Sequence, residues 1–251
     1  MPKKAKTIQI NDDGTLEVMK KSDSVKKIKS SKYAALSKDE RIWLEKDLLS
    51  DKDYVFNQKH IVIFYLMVYA GLRRGEVVQC RKDWLTLVKM DINGVERNLL
   101  QISVPYKDRD IIKGGNWMWK AKSKHSERTI IVLEESVSMY LKTYFDANKN
   151  GVGFSTDYLY RVVSDSSLRF SFKNRLQKMP DISVSEKKRL EDIKPHALRA
   201  TYAFHLKEDY NIPNEQIKDL MGHGDSRLID KHYFERTSQG LLLSIQNHFK
   251  K

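Results

Sequence analysis

Cysteine is almost missing from this 251-residue chain: a lone Cys80 rules out an internal disulfide and suits a reducing compartment. Long apolar runs are missing too. The longest, IVIFYLMVYAGL from Ile61 to Leu72, falls well short of the roughly 20 residues a membrane-spanning helix needs, and reads as a buried helix. The opening residues, MPKKAKTIQINDDG, lack the apolar block of a secretory signal, so a cytoplasmic location and no membrane partner are expected. The missing motifs narrow the chemistry further. The seven histidines form no HExxH or other close ligand pair, and one cysteine cannot build a thiolate site. GLRRGE lacks the Lys-Ser/Thr ending of a phosphate-cradling P-loop. Neither a protein-bound metal nor a cofactor is expected.

Positive charge, by contrast, is abundant. Lys and Arg number 46 against 33 Asp and Glu, a net charge of +13. Such an excess favours a polyanionic partner, nucleic acid being the commonest, over the alternative that the lysines serve solubility alone. With 40% hydrophobic residues, the chain has enough apolar material for one large or two small domains with a sizeable core.

Residues 1–35 hold many of the lysines and few large apolar side chains, the pattern of a flexible basic arm, with a short hairpin expected around Asp13-Gly14. Compact structure is expected from LSKDERIWLEKDLL, where Ser37 and Glu40 have capping-box spacing. A second helix is predicted from Gln58 to Tyr69, ending near Gly71, and a third from about Gly75 through Cys80. The period then changes. WLTLVKMDI and VERNLLQISV flank Asn93-Gly94, a strong hairpin signal, and RTIIVL (Arg128–Leu133) supplies a third strand. YKDRDIIKGGNWMWKAKSKHSE reads as a long polar connection, and from Glu134 onward the pattern is helical. The fold class is therefore α+β, mainly helical, with a small antiparallel sheet.

Three segments carry chemistry-bearing residues at helix ends. In AGLRRGEVV, a glycine-led turn puts Arg73 and Arg74 at the mouth of a helix with Glu76 in its first turn. Arginine's planar fork and the amides of a helix N-terminus both suit phosphate. In KPHALRATYAFHL, Pro195 opens a helix, His196 and Arg199 lie three apart on one face, and Leu198, Tyr202, His205 and Leu206 are candidates for the packed side. NEQIKDLMGH is an amphipathic helix through Ile217, Leu220 and Met221. Gly222 closes it in a left-handed conformation, which puts His223 just past the helix end. Ten residues further stands Tyr233. A tyrosine hydroxyl titrates near 10, so it attacks only where a base and cations assist. Each segment alone also fits a capped surface helix with solvated cations.

Taken in order, GLRRGE, KSKHSERTIIV, HALRAT and LMGH…HYF resemble the tyrosine recombinase (phage integrase) family, over roughly residues 38 to 245. The resemblance implies a recombinase catalytic domain over 36–237, preceded by the 1–35 arm and followed by a helical tail over 238–251. It implies that Arg73 and Arg199 stabilise charge on a DNA phosphodiester, with His223 donating a further bond. It makes Tyr233 the nucleophile, His196 its proton partner and Glu76 a supporting acid. The family's lysine lies six residues before the arginine opening the third strand. That selects Lys122 to protonate the departing 5′ oxygen, with Lys120 and Lys124 as neighbouring candidates. Arg74, Lys120 and Lys124 are expected to contact DNA.

The implied product is a 3′-phosphotyrosine link that can be resealed without ATP. The implied partners are double-stranded DNA, further copies of the chain in a tetramer on DNA, and accessory DNA-bending proteins, as for an enzyme of a mobile genetic element. Leu241, Leu242, Ile245 and Phe249 in the tail form an apolar face for a neighbouring subunit or for the chain's own core. Two departures from the family stand out. Tyr233 lies one residue further from His223 than is usual, with His232 at the usual position. Only the basic arm precedes the first helix, where most members carry a DNA-clamping domain. A type IB topoisomerase-like enzyme and a non-cleaving DNA-binding module are the rival readings.

Overall fold

The computed structural model describes residues 7–10, 16–19, 35–50, 54–92, 94–108, 119–120, 126–148, 165–191 and 193–222. Met1–Lys32 and Tyr33–Lys251 form separate compact units. In the first, β1 (Thr7–Ile10) pairs antiparallel with β2 (Leu16–Met19), Ile10 facing Leu16, as the Asp13-Gly14 signal predicts.

The second unit begins with α1 (Lys38–Ser50). Its capping box forms as read: the Ser37 N–H donates to Glu40 Oε2 at 2.8 Å, and the Glu40 N–H to Ser37 Oγ at 3.2 Å. Helix α2 (Tyr54–Val68) starts earlier than the predicted Gln58: its first residues, Tyr54-Val55-Phe56, are a short apolar run cut off from the main one by Asn57-Gln58-Lys59, and too short to show a helical period by itself. From His60 to Ala70 the chain is buried without interruption. A helix apolar on every side belongs at the centre of a core. It packs against α1, α3 (Arg74–Gln79), α4 (Glu135–Ala147) and α7 (Pro195–Tyr210).

The sheet has the order β3-β4-β7, all antiparallel. Strands β3 (Leu85–Ile92) and β4 (Val95–Val104) meet at Ile92 opposite Val95, around the predicted Asn93-Gly94 turn, where Gly94 has φ +79°. Strand β7 is Arg128–Val132. Helix α4 covers the sheet, and Ser138 joins the two: its buried Oγ accepts from the Leu100 N–H and donates to the Val132 carbonyl. The polar connection after β4 is not all loop. Within it β5 (Lys107–Asp108) pairs with β6 (Trp119–Lys120), a ladder too short for periodicity to register.

The remaining elements are α5 (Asp165–Leu176), α6 (Val184–Leu190), α7 and α8 (Asn214–Leu220). The predicted packed side of α7 is the observed one, Leu198, Tyr202, His205 and Leu206 all being buried. Asn211, at φ 52°, ends α7 in the left-handed region, and Pro213 stands at the N-cap of α8. Helix α8 packs on both α7 and β7, which brings the end of the chain's described part to the opening of the third strand.

Candidate active site

The site forms where α2 gives way to α3. The chain leaves α2 through Gly71 at φ +60°, and a Cβ there would lie 2.2 Å from Tyr202 Cδ1. Only glycine combines that backbone with so close an approach to α7. Two residues later, extended Arg73 (φ −69°, ψ 154°) is the N-cap of α3, and Glu76 lies in the helix's first turn.

Glu76 is the buried anion around which the site is organised. Its Oε2 accepts from the Arg73 backbone N–H at 2.7 Å and from Arg128 Nη2 at 2.7 Å. Its Oε1 accepts from Arg73 Nη1 at 2.8 Å and Arg128 Nη1 at 2.9 Å. Arg199 Nη1 lies 3.8 Å from Oε2. Burial alone would raise the carboxyl, but the bonds and charges of Arg128 and Arg73 outweigh it and hold the group at about 2, against an ordinary 4.5.

The three guanidiniums share a second set of acceptors. Arg128 Nε donates to the Leu220 carbonyl at 3.0 Å, Arg199 Nη2 to the Met221 carbonyl, and Arg73 Nη2 to the Gly222 carbonyl at 2.9 Å. Three consecutive carbonyls at the end of α8, where peptide dipoles leave partial negative charge, each hold a different arginine. Arg199 also donates through Nη1 to the Gly71 carbonyl.

One carboxylate facing three guanidiniums leaves an excess of positive charge. The side chains of Arg199 and Arg128 are 1% and 5% exposed, whereas that of Arg73 is 32% exposed and reaches solvent. Burial, together with repulsion from Arg128 and Arg73, pushes the Arg199 guanidinium down to about 9, still charged at neutral pH. Its Nε is buried without a hydrogen-bond partner among the described residues. His196, in the first turn of α7, is exposed. Burial of part of its ring and the charges of Arg199 and Arg73 lower its pKa and favour the neutral, proton-accepting imidazole. The arrangement can bind an oxyanion and move a proton beside it.

Of the residues expected from the sequence, the structure brings Arg73, Glu76 and Arg199 together and sets His196 at the head of the helix that carries Arg199. The two α7 residues differ in exposure: His196 faces solvent while Arg199 is enclosed. Arg74 is exposed at the start of α3. Lys120 lies in β6, while Lys122, Lys124, His223 and Tyr233 fall outside the described residues. Gly222, directly before His223, takes the left-handed conformation expected of it, with φ +58°. Sequence reasoning missed Arg128 as part of the site. The available signal was its register: on a strand, Arg128 shares a face with Ile130 and Val132, both buried, so a charge there needs a carboxylate partner.

No family model matches the chain, and no curated protein matches it in sequence. Solved structures match in fold. One is the Tn1549 transposon integrase in complex with transposon right end DNA, at 14% identity and a TM-score of 0.51, the match covering 89% of this chain and 64% of that one. The same integrase with a circular intermediate DNA gives 14% identity and a TM-score of 0.52, over 89% and 63% of the two chains. The match thus spans less than two thirds of the length of the integrase. The likeness shows the fold: a mainly helical domain with a three-stranded antiparallel sheet, as expected of a tyrosine recombinase catalytic domain.

Proposed function

We propose that the chain is a site-specific DNA recombinase that cuts and rejoins strands through a 3′-phosphotyrosine intermediate. The observation that carries this reading is the convergence of Arg73 and Arg199 on the turn leading directly into His223, within a fold shared with a transposon integrase that was solved with DNA. In the proposed reaction the Tyr233 oxygen attacks a phosphodiester phosphorus. The P–O bond to tyrosine forms as the P–O5′ bond breaks. His196 takes the phenol proton, and Lys122, or a neighbouring Lys120 or Lys124, gives one to the departing 5′ oxygen. Arg73, Arg199 and His223 stabilise charge on the non-bridging oxygens. Attack by a 5′ hydroxyl reverses the step, so bond energy is conserved and no cofactor takes part. Arg74, Lys120 and Lys124 contact the DNA, consistent with the +13 charge. Strand exchange uses several copies of the chain on DNA.

Covalent trapping tests the reading. Labelled duplexes tiled across the DNA flanking its gene, nicked to prevent rejoining, are incubated with the full chain in EDTA. The expected result is an SDS-resistant adduct that Tyr233→Phe abolishes. A mobility shift without any adduct would instead support a non-cleaving DNA-binding module.

A further inference from the structure

Arg128 is the third guanidinium of the site, and its geometry differs from that of the other two. Its Nε–H goes to the Leu220 carbonyl, Nη1 to Glu76 Oε1 and, at 3.0 Å, to the Ser126 carbonyl, and Nη2 to Glu76 Oε2. Four of its five N–H groups are committed to acceptors inside the protein, which sets it apart from Arg199, whose Nε has none, and leaves it little to offer a DNA phosphate. What it does is connect three pieces of chain distant in sequence: the first turn of α3, the approach to β7, and the end of α8.

The fit is close on the α8 side. Gly222 lies over the Arg128 side chain, where a Cβ would come within 3.0 Å of Cδ, at a φ of +58° that itself favours glycine. The turn into His223 therefore rests on Arg128 through both a carbonyl bond and van der Waals contact. Glu76, the carboxylate that orients Arg73, is gripped by the same guanidinium through two parallel bonds. A planar, forked donor can hold both carboxylate oxygens and a carbonyl at once. A lysine ammonium is a point charge and cannot.

We infer that Arg128 is a positioning residue for the proposed cleavage reaction, setting the Leu220–Gly222 turn in register with Arg73 on a shared Glu76. The inference rests on the recombinase reading. It predicts a separation between binding and chemistry, because Arg128 holds the charge-stabilising groups in place without touching DNA.

The test compares wild type, Arg128→Lys and Arg128→Ala in single-turnover adduct formation on the trapping duplex, with affinity measured by fluorescence anisotropy. Cleavage by Arg128→Lys should fall on the order of 10²-fold, as when a transition-state donor is misplaced, while affinity stays within about threefold. A second substrate carries a methylphosphonate at the scissile position, where one non-bridging oxygen charge is absent. There the Arg128→Lys defect should shrink to within about threefold, since less charge needs stabilising. Arg128→Lys keeps the buried charge, so the inference remains testable even if Arg128→Ala fails to fold. Equal losses of rate and affinity, an undiminished rate, or the same defect on both substrates would overturn the inference while the wild-type adduct still stands. Absence of any wild-type adduct overturns the recombinase reading and this inference with it.

Discussion

Replacing Glu76 with glutamine keeps its shape and removes its charge, leaving Arg73, Arg128 and Arg199 facing one another without a counterion. The structure sets the size of the effect. The folded-state carboxyl lies at about 2 although the ordinary value is 4.5 and the side chain is 2% exposed. That gap corresponds to about 3 kcal/mol of stability, in line with the ~3–5 kcal/mol typical of breaking a buried ion pair. Because the folded value is depressed, this contribution is complete above pH 4.5 and is lost as the pH falls toward 2. Urea unfolding followed by tryptophan fluorescence at pH 7, 5, 4 and 3 should therefore show Glu76→Gln less stable by about 3 kcal/mol at neutral pH, with the two proteins converging below pH 4.5. Other depressed carboxyls, such as Asp209, are common to both proteins and cancel in the difference. A gap at pH 3 as large as at pH 7, or one below about 1 kcal/mol at neutral pH, would refute the ion-pair account.

Gly71→Ala should destabilise the protein by about 3 kcal/mol in the same assay. It combines the left-handed backbone cost with displacement of the Tyr202 ring, and a change under about 1 kcal/mol would contradict both. Adduct formation should rise with pH through a value below 6.5 and level off by neutrality, because His196 must be neutral to accept the phenol proton and its pKa is lowered. His196→Gln should remove that acidic limb and slow the plateau on the order of 10²-fold. A limb that persists in the variant belongs to another group.

Features governed by neighbours along the chain were legible in the sequence. The Ser37–Glu40 box, the Asn93-Gly94 hairpin, the α2 apolar run and the left-handed Gly222 each follow from a few adjacent residues, and each is present, the hairpin as the β3–β4 strand pair and the positive φ of Gly94. The β5–β6 ladder was not legible, since two-residue strands leave no period to read. Nor was the role of Arg128, whose partner Glu76 stands 52 residues away and whose other acceptors are main-chain carbonyls that carry no signature in the side-chain sequence. The burial of Arg199 was hidden for the same reason: its acceptors are the Gly71 and Met221 carbonyls. Sequence reasoning recognises arginine as an anion binder more readily than as a residue held by backbone oxygens.

That the three acceptors at the end of α8 are carbonyls shapes how the site tolerates mutation. No side-chain substitution at Leu220 or Met221 deletes an acceptor, so those positions are free to drift as far as packing permits. On this side of the site only a change in the path of the backbone can withdraw the acceptors, and that path turns at Gly222, with its left-handed φ and its 3.0 Å Cβ approach to Arg128. Mutational sensitivity is thereby concentrated at a residue that has no functional group of its own. A survey of inactivating substitutions would point to glycine there, although the chemistry belongs to its neighbours.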